Sequence, residues 1–178
     1  MLQCLLPEVG KLSLIARGAL RSKKRFGGGV LQPTHHVEIH YTPARNESGL
    51  ANLLEARLIN DFAGLRKDFD RLDLGLQILH AVDRVSHEGD VHLQGLYDLT
   101  GHALRGLETA QNLSIFKIHF GLRFLMQQGI LEQQAWMQPY LTVPMASTVQ
   151  LTGTPWTAEQ LSWTETTWKL YLNSAAIN

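Results

Sequence analysis

The stretch GKLSLIARGALRSKKRFGGGVLQPTHH, residues 10–36, decides how the first third of the chain folds. Polar and apolar residues alternate from Lys11 to Arg17, which predicts a strand with two cations and a hydroxyl on one face. Gly18–Gly29 is too rich in glycine and charge for regular structure, so we expect a mobile loop there. Alternation resumes at Val37–Tyr41, which predicts a second, half-buried strand.

Helical periodicity follows the strands. Apolar residues three and four apart predict a helix at 64–85, and the pattern repeats at 91–107. The buried face of the first helix is predicted to comprise Leu65, Phe69, Leu72, Leu76, Leu79 and Val82. Residues 112–128 are apolar in nearly every direction, as in a helix at the centre of a bundle. We expect a last helix to start at Thr154-Pro155, with tryptophan stripes that serve packing.

This segregated order predicts an α+β protein with a small β domain at residues 1–60 and an all-α domain at 61–178. Leu2–Leu6 reads as a further strand, and 50–59 as a closing strand or a helix. Short strands with a glycine-rich loop suit an OB-type barrel. From about 132 to 178 the pattern is weaker.

Composition favours a soluble, cytoplasmic protein. Of the 178 residues, 44% are hydrophobic and 18% charged, and no apolar run is long enough to span a membrane. The single cysteine, Cys4, excludes an internal disulfide and a multi-cysteine zinc site. We see no secretory leader after Met1.

Charge is unevenly placed along the chain. Residues 9–37 hold six basic residues and no acid, so the remainder holds ten basic and sixteen acidic residues. A one-signed stretch of this kind suits a polyanionic partner such as a nucleic-acid backbone, and a merely solvated loop is an equal alternative. The expected phosphate contacts are Lys11, Arg17, Arg21, Lys23, Lys24 and Arg25. Phe26 is the one nearby stacking candidate, with help from His35 or His36.

Other chemistry finds little support in the pattern. His36 and His40 are about 13 Å apart along a strand, too far to share one ion, and His35 faces the other side. Gly27-Gly28-Gly29 matches neither a Walker loop nor a dinucleotide fingerprint, so we interpret it as a hinge for the basic side chains or as a plain flexible loop. We therefore expect no metal, no cofactor and no catalytic residue.

The same residues resemble the N-terminal motif of the bacterial RecO family of recombination mediators. The shared elements are Gly10-Lys11-Leu12, Ala16-Arg17-Gly18-Ala19, Ser22-Lys23, Gly28-Gly29 and Leu31-Gln32-Pro33. A weaker resemblance runs through 50–63 and through 120–131, which are similar to the strand leaving the family's barrel and to its central helix.

The resemblance implies an OB-fold followed by a helical domain, and a non-enzymatic role in DNA repair and homologous recombination. It implies binding of single- and double-stranded DNA, strand annealing, and loading of RecA onto DNA coated with single-strand-binding protein. The implied partners are DNA, RecR and the C-terminal tail of the coating protein, and the implied location is the nucleoid. The implied tail-binding candidates on the helical domain are Lys117, His119 and Arg123.

The sequence also departs from the family pattern. No cysteines lie between Leu131 and Leu151, where many members hold zinc, so we expect a zinc-free member. Members begin with a strand ahead of the equivalent of Leu2, so we expect the barrel to lack its first strand and Met1 to mark a truncated start.

Three other functions stay open on the residues alone. An RNA-binding or ribosome-associated OB protein would use the same basic loop. A metal-dependent nuclease would use the histidines, and a scaffold would bind protein through its tryptophan-rich helix.

Overall fold

The computed structural model describes residues 1–19, 22, 25–44, 50–90 and 92–175. The chain divides into two compact units. The first comprises Met1–Phe62 and Ser86–Tyr97, and the second comprises Ala63–Val85 and Asp98–Asn178. The first unit thus contains a segment, Ser86–Tyr97, that the sequence pattern assigned to the helical part of the chain.

In the first unit, the described residues form one four-stranded sheet. Its strands are β1 (Leu2–Leu6), β2 (Gly10–Ile15), β3 (His36–Thr42) and β4 (Ala51–Asn60). Their order is β1-β2-β4-β3, with β1/β2 and β3/β4 antiparallel and β2/β4 parallel. The strands precede the α-helices, which confirms the predicted α+β class. For residues 50–59 the sequence allowed a strand or a helix, and the structure has a strand there.

The core of the first unit lies on one face of this sheet. Leu14, Ala51 and Leu53 are buried there, and Val37 and Ile39 pack against them from β3. Leu14, Val37 and Ile39 are positions that alternation predicts, because every second side chain of a strand points to the same face.

The segment Ser86–Tyr97 comes very close to the start of β2. Gly10 has a φ of +78°, a backbone conformation that favours glycine, and a Cβ built on it would lie 2.1 Å from the carbonyl oxygen of Asp90. The hydroxyl of Tyr97 lies 3.0 Å from Nε2 of His36 on β3. The segment is therefore tied to both β2 and β3.

The second unit is helical throughout its described part. Its elements are α1 (Phe69–Val85), α2 (Gln94–Leu107, from Asp98 onward), α3 (Leu113–Gln127), α4 (Gln138–Thr142) and α5 (Ala158–Ala175), with short 3-10 turns between several of them. None of the helices in this described part combines the length and the apolar character needed to cross a bilayer.

Helix α3 is the central element, as its all-round apolar sequence predicts. Phe116, Phe120 and Phe124 are fully buried. Its N-cap, Asn112, accepts hydrogen bonds from the amides of Ser114 and Ile115, so two of the otherwise unpaired N–H groups of the first turn are satisfied.

Two predictions about the helices are wrong. Of the predicted stripe, Leu65 and Val82 are buried, but Phe69 is 82% exposed and Leu76 is 41% exposed. Helix α1 instead buries Leu74, Ile78 and Ala81, so the prediction is wrong at Phe69 and Leu76. Both stripes have helical spacing, and periodicity alone does not choose between them.

Helix α5 begins at Ala158, not at the predicted cap Thr154. Thr157 Oγ1 accepts from the amide of Gln160, while Gln160 Oε1 accepts from the amide of Thr157. This reciprocal pair is a capping box, which satisfies two donors at once and therefore fixes the start of the helix.

Candidate nucleic-acid interface

Three of the six predicted phosphate contacts lie in the described residues. Lys11 is a partly buried residue near the start of β2, Arg17 is exposed just after that strand, and Arg25 is exposed farther along the basic stretch. The other three, Arg21, Lys23 and Lys24, lie outside the described residues. The interface can therefore be built from Lys11, Arg17 and Arg25.

Lys11 and Arg17 do not share one strand face as the sequence predicts. Strand β2 ends at Ile15, so Arg17 belongs to the turn that follows. Of the two cations, only Lys11 therefore lies on β2.

The Arg25 side chain contacts Arg17 although the two residues are eight positions apart. The Arg25 guanidinium donates from Nη2 to the carbonyl oxygen of Arg17 at 3.2 Å and from Nε to Ser22 Oγ at 3.2 Å. Two backbone bonds also join described residues of the stretch, since the Ser22 amide donates to Gly18 O and the Phe26 amide to Ser22 O, each at 3.0 Å. The Arg25 guanidinium thus lies against the backbone of Arg17, and the described residues of the basic stretch are linked to one another.

The end of the basic stretch is fixed to the sheet. The Ala56 amide in β4 donates to the carbonyl oxygen of Arg25 at 3.1 Å. The next residue, Phe26, is 6% exposed and belongs to the core with Leu14 and Leu53. The prediction that Phe26 stacks on a base is therefore wrong, because its ring is already packed inside the protein.

The two histidines suggested as stacking partners also have structural contacts. His35 Nδ1 lies 3.0 Å from the carbonyl oxygen of Val30, and His36 Nε2 pairs with the Tyr97 hydroxyl. Both rings are partly buried. These contacts favour a role in holding β3 in place over a role in base stacking.

The glycine triplet is a structured turn rather than the predicted hinge. Gly27–Gly29 forms one turn of 3-10 helix, and the amide of Val30 donates to the carbonyl oxygen of Gly27. The flanking residues Phe26 and Val30 are both buried in the core of the first unit. The turn is consequently anchored on both sides.

No group of three potential metal-binding side chains occurs among the described residues. His40, one of the histidines considered for a metal site, is exposed on β3. Cys4 in β1 is partly buried, and this burial raises the pKa of its thiol.

The predicted tail-binding candidates lie on α3 in the second unit. Lys117 Nζ forms an ion pair with Glu165 Oε1 at 3.1 Å, and Arg123 Nη1 donates to the carbonyl oxygen of Leu141 at 2.7 Å. Both of these side chains already have partners within the helical unit, but they are not enclosed.

His119, the third candidate, is fully buried. Its Nδ1 lies 3.0 Å from Thr148 Oγ1 and its Nε2 lies 3.0 Å from the carbonyl oxygen of Val143. The pKa of His119 is lowered to about 4, chiefly by burial and in smaller part by the charge of Arg123, while the bond to Val143 acts in the opposite direction. An enclosed, neutral imidazole with both nitrogens occupied offers nothing to a partner in this conformation, so only Lys117 and Arg123 stay candidates.

Sequence reasoning missed Ala56, which holds the end of the basic stretch through its amide. It named Gly18 and Ser22 as residues of the shared motif, but not their contacts within the stretch. Ala56 lies 31 positions beyond Arg25, and no local pattern links the two. Only the folded chain brings them together.

The comparisons with known proteins concern the same part of the chain. The family model described as "Recombination protein O N terminal" matches residues 1–62. A DNA repair protein RecO of Salinibacter ruber is 32% identical over 106 residues, which cover 58% of this chain and 39% of that protein. Proteins of the same name from an Exiguobacterium species and from Syntrophobacter fumaroxidans are 30% and 32% identical over 69% and 68% of this chain, and 47% of each of those proteins. The matched region thus spans half or less of the length of these relatives.

Proposed function

The first 62 residues belong to the N-terminal domain family of recombination protein O, and on that premise we propose that the chain is a DNA-binding protein of recombinational repair. It binds single- and double-stranded DNA, anneals complementary strands and helps to load RecA onto DNA coated with single-strand-binding protein. Its role is binding rather than catalysis. Relatives that carry the name DNA repair protein RecO support the repair role.

The observation that carries the proposal is the basic stretch itself. Six cations without an acid lie within residues 9–37, inside the part that matches the family model. Arg17, one of these cations, is exposed just after β2. A cluster of one sign next to a sheet suits contact with a phosphate backbone, which requires cations but no base-specific groups.

We also propose that residues 1–62 form an OB-type domain. The strand order β1-β2-β4-β3, with its parallel β2/β4 pair between two antiparallel pairs, supports this assignment. OB domains bind oligonucleotides along one face of the barrel and its loops. Here the basic stretch follows β2, which supports placing the nucleic acid beside that strand.

The proposed partners follow from the family. They are RecR and the acidic tail of single-strand-binding protein, and the proposed location is the nucleoid. Lys117 and Arg123 are the proposed tail contacts, because an acidic peptide requires cations on the surface it meets.

The function is tested with a charge variant and a matched control. The variant replaces Arg17, Lys23 and Lys24 with glutamine, and the control replaces the exposed cations Lys67, Arg105 and Lys169 of the helical unit. Both lose three positive charges. We expect only the first to lose binding of labelled single-stranded DNA and annealing of coated strands.

An RNA of the same length, added as competitor, separates this function from an RNA-binding one. We expect RNA to compete less well than single-stranded DNA. A clear preference for RNA, or equal loss of binding in the two triple variants, would contradict the proposal.

A further inference from the structure

Arg25 contacts the basic stretch to which it belongs. Two of its guanidinium nitrogens donate within that stretch, Nη2 to the carbonyl oxygen of Arg17 and Nε to Ser22 Oγ. Both acceptors precede Arg25 in sequence. The side chain therefore reaches backward and closes a turn whose described residues include Arg17, Gly18, Ser22 and Arg25.

The backbone of Arg25 is held by a different element. Its carbonyl oxygen accepts from the amide of Ala56 in β4. Its guanidinium carbon lies 5.3 Å from the ring centre of Phe26, which is packed in the core. The side chain therefore projects from a fixed point, which lets it hold the turn in a defined position relative to the sheet.

Gly18 leaves room for this arrangement. Its φ is +74°, and a Cβ built on it would lie 3.3 Å from Nη2 of Arg25. The glycine at this position therefore suits both the left-handed backbone and the close approach of the guanidinium. Its carbonyl oxygen accepts from the Ser22 amide, which adds a backbone bond to the same turn.

A lysine does not reproduce this geometry. A guanidinium is a rigid, planar group that presents several N–H donors at fixed angles, whereas an ammonium is a compact point charge on a flexible stem. At position 25 both would supply one positive charge, but only arginine would bond Arg17 and Ser22 at the same time. Replacing Arg25 with lysine therefore separates the effect of its charge from the effect of its side-chain geometry.

We infer that Arg25 is a positioning residue that holds Arg17 and Ser22 in place, and that its guanidinium serves these contacts rather than a phosphate. This inference rests on the proposed DNA binding. Residues that are already held in place lose less conformational freedom when DNA binds, and the gain appears as affinity. The sequence alone favours the opposite assignment, in which Arg25 is one more phosphate contact.

The test uses Arg25→Lys and Arg25→Gln in the full chain, with Arg105→Lys, an exposed arginine on α2, as the matched control. Binding of single-stranded DNA is measured over a range of salt concentrations. Amide hydrogen exchange is measured by NMR in the free protein. A thermal unfolding midpoint close to that of the wild type shows that each variant is folded.

We expect Arg25→Lys and Arg25→Gln to weaken DNA binding equally, by about fivefold or more, with an unchanged salt slope. We also expect faster exchange at the amides of Ser22, Phe26 and Ala56 in both variants. Arg105→Lys should change neither readout.

Two results would overturn the inference. In the first, Arg25→Lys binds like the wild type while Arg25→Gln lowers the salt slope by about 0.7, as loss of one phosphate contact on a single strand requires. In the second, exchange at all three amides is unchanged in both variants. If the wild type itself fails to bind DNA, the proposed function fails, and the exchange data alone decide whether Arg25 holds the turn.

Discussion

Acidification should destabilise the chain through His119, the buried histidine of α3. Its pKa is lowered from the ordinary value of 6.5 to about 4 in the folded state, chiefly by burial. The unfolded chain therefore binds more protons than the folded chain between these two values. By linkage, the stability that His119 contributes is complete above about pH 6.5 and is lost as the pH falls towards 4.

The size of the effect follows from the two pKa values. Between pH 7.5 and pH 5.0, the unfolded imidazole becomes almost fully protonated while the folded one stays mostly neutral. With pKa values of 6.5 and about 4, the free energy of unfolding should fall by about 2 kcal/mol over this interval.

Urea unfolding at pH 7.5, 6.5, 5.5 and 5.0 measures this fall. Other groups also titrate in this range, so the comparison is with His119→Gln, which removes the titrating ring. The control is His102→Gln, whose ring is exposed on α2. We expect the pH dependence to shrink by about 2 kcal/mol in His119→Gln and to stay at the wild-type value in His102→Gln. The same pH dependence in all three proteins would refute the burial argument.

Three further predictions concern packing, backbone geometry and capping. Gly121→Ala should cost about 1–3 kcal/mol, because its Cβ would lie 2.6 Å from Thr164 Cγ2; adding Thr164→Ser, which removes that methyl group, should restore most of the loss in urea unfolding. Gly10→Ala should destabilise more than Gly89→Ala, since both have a φ near +79° but only the Cβ of residue 10 meets a carbonyl oxygen; equal losses would mean that backbone conformation alone matters. Asn112→Ala should cost about 1 kcal/mol, and Asn112→Asp should keep most of the cap.

The sequence correctly predicts those elements whose hydrophobic pattern fits only one type of secondary structure and one way of burying it. The alternation of β2 and β3 locates both strands, because only one face of each has apolar residues throughout. The all-round apolar character of α3 predicts its buried position, since such a helix has no polar face to expose.

Other features depend on contacts that are distant in sequence. Helix α1 carries two apolar stripes, and its neighbours decide that Leu74 and Ile78 are buried while Phe69 is exposed. Phe26 looks like a stacking residue in a basic loop, but the sheet takes it into the core. No local sequence pattern predicts that the segment Ser86–Tyr97 packs against Gly10.

The correct start of helix α5 can be found in the sequence. Thr157 and Gln160 have the spacing of a capping box, and they mark the true start of α5. The Thr154-Pro155 pair suggested an earlier start, because proline is common in a first helical turn. The reciprocal side-chain pattern proves the more specific of the two.

Binding of a phosphate backbone by the basic stretch is the property on which the proposed function depends most. The most direct measurement is the salt dependence of single-stranded DNA affinity for the wild type and the two triple variants. Five phosphate contacts, without Arg25, predict a slope of about −3.5 in log affinity against log salt, and loss of Arg17, Lys23 and Lys24 should reduce its magnitude by about 2. The control triple of the helical unit should keep the wild-type slope. A wild-type slope near zero, or equal reductions in both triples, would contradict the account.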